Sequence, residues 1–202
     1  VNPAAKKNNS ILSTIMGIEG KFLVRLGDDY LSWNQIQVVW DSGSYDYYGR
    51  PVEGKLSNIN MTINANEWSH IAVTFGEKTI KVYVNGVEKG SSTTNVPSSV
   101  NFGIAHNDEQ GTRITRCFWV GYSYEHARYF PGMMSELRIW NRVLTADELA
   151  NATRRYGVDP KSEGLVTYWK CDEGQGDVIK DHPSYRNDLA SDGLKWEPVS
   201  LP

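Results

Sequence analysis

Apolar and polar residues alternate with a period of two through much of this chain, the mark of strands that bury one face. The clearest run is residues 67–89. There Trp68, His70, Ala72 and Thr74 alternate with Ser69, Ile71, Val73 and Phe75. Gly76-Glu77-Lys78 reverses the chain, and Ile80, Val82 and Val84 then alternate with Thr79, Lys81 and Tyr83. Asn85-Gly86 tolerates positive φ at both central turn positions, so a second tight turn follows at once. The stretch predicts two or three antiparallel strands in the middle of an all-β domain.

The rest of the chain extends the pattern. Residues 11–16 and 21–27 predict a hairpin with Phe22, Val24 and Leu26 on one face, and residues 34–40 and 56–63 predict further strands. Residues 1–9, 41–54, 90–99 and 106–115 read as polar loops between strands. Later strands are predicted at 100–105, 116–122, 132–140 and 165–171, with a last one at Trp196. Thr145-Ala-Asp-Glu148 is a capping box that predicts one short helix, reaching about residue 155 and ended by Gly157.

Composition narrows the picture. A chain of 202 residues is long enough for one well-buried domain. A net charge of −3 and a pI of about 5.8 leave no electrostatic footprint for nucleic acid. No apolar run has the length of a membrane span. Cys117 and Cys171 permit one disulfide or two buried thiols.

Several motifs carry a resemblance. W-x-H-x-A-V-T-F at residues 68–75, followed by K-x-Y-V-N-G-x-x-x-G at 81–90, resembles the central hairpin of the laminin-G-like, concanavalin-A-like jelly-roll family. FPGMMSELRIWNRVLT at 130–145 resembles a second signature of that family, with Met134 and Ser135 where Ile and Asp are usual. YWKCDEGQG at 168–176 and the Asp181 to Asp188 region resemble a third, which in many relatives opens the domain rather than closing it. The resemblance implies a two-sheet antiparallel β-sandwich with one short helix near 145–155, a single domain over 1–202. It also implies that Val1 follows a strand belonging to a longer parent chain, of which this is a C-terminal fragment. A bacterial extracytoplasmic setting, periplasm or cell surface, is implied in the same way.

Catalytic chemistry is poorly represented. Lectin-fold glycoside hydrolases carry E-x-D-x-E on one strand, where alternation aligns the acid and the nucleophile on one face. The chain has no such triplet, no Gly-x-Ser-x-Gly, and no metal-ligand spacing among its four His and two Cys. We therefore expect no enzyme. Binding is better served by the stretch holding Trp40, Tyr45, Tyr47, Tyr48 and Arg50, and by that holding Tyr122, Tyr124, His126 and Arg128. Aromatic faces stack on the C–H face of a sugar ring, while charged and hydroxyl groups bond its hydroxyls. The competing reading places Trp40 in the core and the tyrosines on a domain or subunit interface, making the chain a structural or protein–protein interaction module, for example one packing on an upstream domain. The family also includes calcium binders, which require several hard oxygen ligands. Asn107, Asp108, Asp181 and Asn187 are the candidates for Ca²⁺. The expected function is non-catalytic binding of a glycan.

Overall fold

The structure, a computed structural model, describes residues 1–5, 12–98, 100, 105–107, 113–115, 118–122, 128–151, 155–183, 187–191 and 193–201. The elements in chain order begin with β1 (Asn2–Pro3), β2 (Ser13–Ile18), β3 (Phe22–Asp28), β4 (Leu31–Tyr45) and β5 (Pro51–Thr62). The central hairpins are β6 (Ile71–Gly76), β7 (Thr79–Val84) and β8 (Val87–Ser92). Short strands follow: β9 (Ala105–Asn107), β10 (Arg113–Thr115), β11 (Trp119–Val120), β12 (Gly132–Met133) and β13 (Leu137–Trp140). After α1 (Ala146–Ala150) come β14 (Leu165–Trp169), β15 (Val178–Ile179) and β16 (Leu189–Ala190). The fold is all-β, and every strand pairing among the described residues is antiparallel.

One sheet has the order β11-β2-β3-β4-β5, and a second has β6-β7-β8. Register explains how the first sheet meets the core. Phe22, Val24 and Leu26 lie opposite Trp40, Val38 and Ile36, so all six share one face. Ile80, Val82 and Val84 of β7 join them in a single apolar cluster with Ile15, Leu56, Met61 and Ile63. Two sheets packed through interdigitating inner faces make the sandwich. Trp40 sits at the centre, 1% exposed, with its indole N–H donated to the Asn95 carbonyl at 2.8 Å. Its cross-strand partner is Gly54, and a Cβ there would lie 2.1 Å from the Trp40 ring. Only glycine leaves the indole room.

The sheet's other face is also covered. Leu23 and Val39 are buried, and Arg25, Gln37 and Ser57 form a polar row across three strands. Arg25 Nε donates to Gln37 Oε1 at 2.7 Å, Gln37 Nε2 donates to Ser57 Oγ at 2.7 Å, and an Arg25 guanidinium N–H donates to Asp28 at 3.0 Å. These bonds give the buried Arg25 and Gln37 side chains polar partners.

Several expected boundaries move. Residues 41–54 are not a long loop: β4 runs to Tyr45 and β5 starts at Pro51, leaving a five-residue tip. A bulge between Asp41 and Ser44 hid the alternation from the sequence pattern. Within residues 1–9, Asn2 and Pro3 pair with Met133 and Gly132. Within 106–115, the main chain of β9 and β10 forms a short ladder. Residues 132–140 divide into β12 and β13, because Glu136 at φ 58° breaks the strand. The helix has its capping box at Thr145 and Glu148 but ends at Ala150, with Asn151 as an extended C-cap. Trp196 forms no strand; its indole N–H is donated to the Gly176 carbonyl at 2.9 Å.

Candidate functional site

The tip of the β4–β5 hairpin is built by Asp46. One carboxylate oxygen accepts the main-chain N–H of Tyr48 at 2.8 Å and of Arg50 at 2.9 Å, and the other accepts Arg50 Nε at 2.8 Å. Such Asx bonding fixes a turn from within. The Arg50 main-chain bond is the foremost cause of the lowered Asp46 pKa. Around this fixed turn stand three exposed rings, with Tyr45 at 70%, Tyr47 at 96% and Tyr48 at 76%. Tyr47 and Tyr48 meet edge to face at 5.3 Å, and the Arg50 guanidinium lies over the Tyr48 ring at 5.2 Å. The tip thus presents aromatic faces beside phenol and guanidinium hydrogen-bond groups on an ordered main chain, the chemistry a sugar ring needs.

A second ring cluster lies at the opposite edge of the five-stranded sheet, where β11 is the last strand. Trp119 meets Tyr122 edge to face at 4.7 Å, and Tyr122 lies 5.1 Å from Tyr129 at an interplanar angle of 31°. Trp119 and Tyr129 are exposed. Arg128, from the same predicted stretch, is tied to Glu19 at 2.7 Å. Tyr124 and His126 lie outside the described residues. Tyr129 closes the predicted stretch, whereas Trp119 was not among the expected site residues. The apolar run Cys-Phe-Trp-Val reads as core or sheet face, and the pairing of Trp119 with Gly17 at a sheet edge leaves its ring exposed. The fold does not bring the two aromatic sets together.

Trp40 requires a correction. It belongs to the core, and its buried ring offers no face to a ligand. Asp181 and Asn187 are likewise committed elsewhere. Asp181 is fully buried and its carboxylate accepts the Tyr168 N–H at 3.0 Å and Asn187 Nδ2 at 3.2 Å. The same Asn187 amide reaches Thr167 Oγ1 at 3.0 Å, and its carbonyl accepts the Trp169 indole at 2.7 Å. These bonds fasten Asp181 and Asn187 onto β14; they are not an open oxygen cage for Ca²⁺. Asp108 and the Asn107 side chain lie outside the described residues.

One group of potential ligands was missed. Asp172, Glu173 and His182 bring one donor atom each within 4.8 Å of one another, with His182 Nε2 3.7 Å from Asp172 Oδ1. The sequence separates His182 from the acidic pair by nine residues, and the β15 excursion closes the distance. Glu173 also has a local task, accepting the Lys180 N–H at 2.6 Å. Beside it, Cys171 is a half-buried free thiol whose pKa burial pushes up to about 12. It is not poised as a nucleophile. Cys117 lies outside the described residues.

Comparison with known proteins decides the family. Residues 1–150 match Laminin_G_3, described as the Concanavalin A-like lectin/glucanases superfamily. The chain belongs to this family. A crystal structure from Bacteroides ovatus ATCC 8483, provisionally described as a carbohydrate binding protein, is similar to this laminin-G-like chain at 27% identity and a TM-score of 0.66. The alignment covers 95% of this chain and 50% of that one, so this chain spans half the length of its structural relative. An S-layer domain-containing protein from Clostridium thermocellum ATCC 27405 aligns at 21% identity over 74% of this chain and 66% of its own, with a TM-score of 0.30. No curated protein matches the sequence.

Proposed function

We propose that this laminin-G-like domain is a non-catalytic glycan-binding module, and that the tip of the β4–β5 hairpin is its contact. One observation carries the reading: Tyr45, Tyr47 and Tyr48 are exposed on a turn that Asp46 holds rigid. Rings kept in water at such exposure gain apolar contact when a sugar covers them, and a fixed turn loses little entropy on binding. The likeness to the Bacteroides ovatus protein supports a carbohydrate as the ligand class. A lectin-like module of this kind belongs outside the bacterial cytoplasm, in the periplasm or at the cell surface.

A glycan array and affinity gels with immobilised polysaccharides test the proposal, each run with and without calcium. Retention by one glycan class, lost in Tyr47→Ala and Tyr48→Ala variants that melt like the parent, is the expected result. Retention that survives both substitutions but is lost in Trp119→Ala moves the site to the β11 edge. Silence across the panel overturns the glycan reading in favour of an interaction module.

A further inference from the structure

Main-chain bonding holds the Asp172, Glu173 and His182 group in place from both sides. Past β14 the chain leaves its extended path at Cys171, φ 62°, just ahead of Asp172 and Glu173. It returns to β14 at Asp181, which bridges antiparallel to Trp169, and the His182 N–H is donated to the Tyr168 carbonyl at 3.0 Å. The imidazole lies beside the Tyr168 ring, their centroids 5.8 Å apart. Glu173 Oε1 ties the outgoing limb to the returning one by accepting the Lys180 N–H at 2.6 Å. The three donors therefore sit on a fixed frame, which a metal site needs if its ligands are to converge without reorganising.

Two of these donors are also left without partners. His182 Nε2 and Glu173 Oε2 are both buried atoms, and neither has a hydrogen-bond partner. Leaving one buried polar atom unpaired is unfavourable, and here two lie within 4.8 Å of each other and of an Asp172 oxygen. His182 Nε2 stands 3.7 Å from Asp172 Oδ1, too far for a hydrogen bond. Metal bonds of about 2.0–2.2 Å to nitrogen and oxygen set neighbouring donors about 3.0–3.5 Å apart. A small rotation of the exposed Asp172 carboxylate closes the set round one ion. The Lys180 ammonium, which would neutralise a nearby carboxylate, is engaged by Asp188 at 2.9 Å. Donor type then selects the metal. An imidazole nitrogen beside carboxylate oxygens suits Zn²⁺ and its transition-metal neighbours, whereas Ca²⁺ and Mg²⁺ favour an all-oxygen shell.

We infer that Asp172, Glu173 and His182 form a binding site for one divalent transition-metal ion, with Zn²⁺ the best matched. His182 ligates through Nε2, Glu173 through Oε2 and Asp172 through Oδ1, and the fourth position of a tetrahedral ion is left to water. Glu173 keeps its Oε1 bond to Lys180, which orients the ligating oxygen as outer partners do in metal sites. The site differs in residues and in metal class from the calcium expected at Asp181 and Asn187, whose side chains are engaged on β14. Binding clips the limb at 172–173 to the limb at 182, so the ion stabilises the excursion that carries β15.

Calorimetric titration of chelator-stripped residues 1–202 with Zn²⁺ alone tests this, with Ca²⁺ titrated in parallel. One equivalent of Zn²⁺ is expected to bind and to raise the Tm, with Ca²⁺ weaker by about 100-fold. Asp172→Asn, at an exposed side chain, and His182→Gln each weaken Zn²⁺ binding by about tenfold or more, while the metal-free variants melt like the parent. Imidazole nitrogen NMR of the parent needs no variant to fold: Zn²⁺ is expected to shift His182 Nε2 ahead of any other histidine nitrogen. Absence of Zn²⁺ binding overturns the inference. So does binding that leaves the His182 signal in place or that survives Asp172→Asn undiminished, since the ion would then sit on other side chains. Calcium bound as tightly as zinc overturns the metal class and with it the role of His182.

Discussion

The β3–β4 pair and β6 carry the same alternating pattern and end in different states. In β4, six consecutive residues from Gln35 to Trp40 are buried on both faces, since β3 and β5 flank the strand and both sheet faces are covered. In β6 no residue is fully buried, because one flank is an open groove lined by β6 and β13. Alternation states which side chains face the core. It says nothing about whether neighbours are present to close the edge, and the edge decides how much of the apolar surface leaves water.

The largest expected effect is at the closed side. Trp40→Ala costs about 3–5 kcal/mol, since it empties a site formed by Gly54 and Asn95 as well as the core; chemical denaturation measures it. Gly54→Ala costs about 1–3 kcal/mol from the opposite cause, overpacking against the indole. A loss below about 1 kcal/mol for Trp40→Ala would show that the centre of the sandwich lies elsewhere.

A paired substitution sharpens the contrast. Ile36→Ala, at a fully buried position, costs about 2–5 kcal/mol, and Ile71→Ala roughly half as much, because Ile71 gives up fewer contacts. Equal losses would mean that β6 is as enclosed as β4.

The groove side also makes stability depend on pH. Burial, then Arg138, Arg155 and the amino terminus, lowers His70 from 6.5 to about 4. Well above pH 6.5 the His70 imidazole is neutral in folded and unfolded chains alike, so it exerts no pH dependence there. As pH falls to about 4 the unfolded chain takes up protons that the folded chain refuses, and stability declines. A Tm several degrees lower at pH 5 than at pH 8 is expected. A Tm that rises on acidification over that window would break the comparison.

The smallest stability effect belongs to the candidate site. Tyr47→Ala and Tyr48→Ala change stability by no more than about 0.5 kcal/mol, as exposed side chains do. They weaken glycan retention tenfold or more on affinity gels. Asp46→Ala unfastens the turn and weakens retention less than loss of the rings, read on the same gels.

Much of this was legible in the chain. The all-β class, the central hairpins, the Asn85-Gly86 turn and the Thr145–Glu148 capping box follow from periods and short-range bonding, which depend on neighbours in sequence. The tyrosine-rich stretch was also visible as a candidate. Its shape was not, because the bulge between Asp41 and Ser44 interrupts the period of two and made a hairpin resemble a loop. Trp119 looked like core or sheet face for a similar reason, its apolar neighbours concealing an edge position.

What the sequence determined by itself is which residues alternate, where the chain turns and which chemical groups it carries, since each rests on contacts a few residues apart. Tertiary structure alone decided that Trp40 is enclosed while Tyr47 and Tyr48 are not, and that Asp181 and Asn187 fasten a segment and hold no open site. It also decided that β6 and β13 stand apart. Burial and edge pairing are set by strands distant in sequence, and no local pattern contains them.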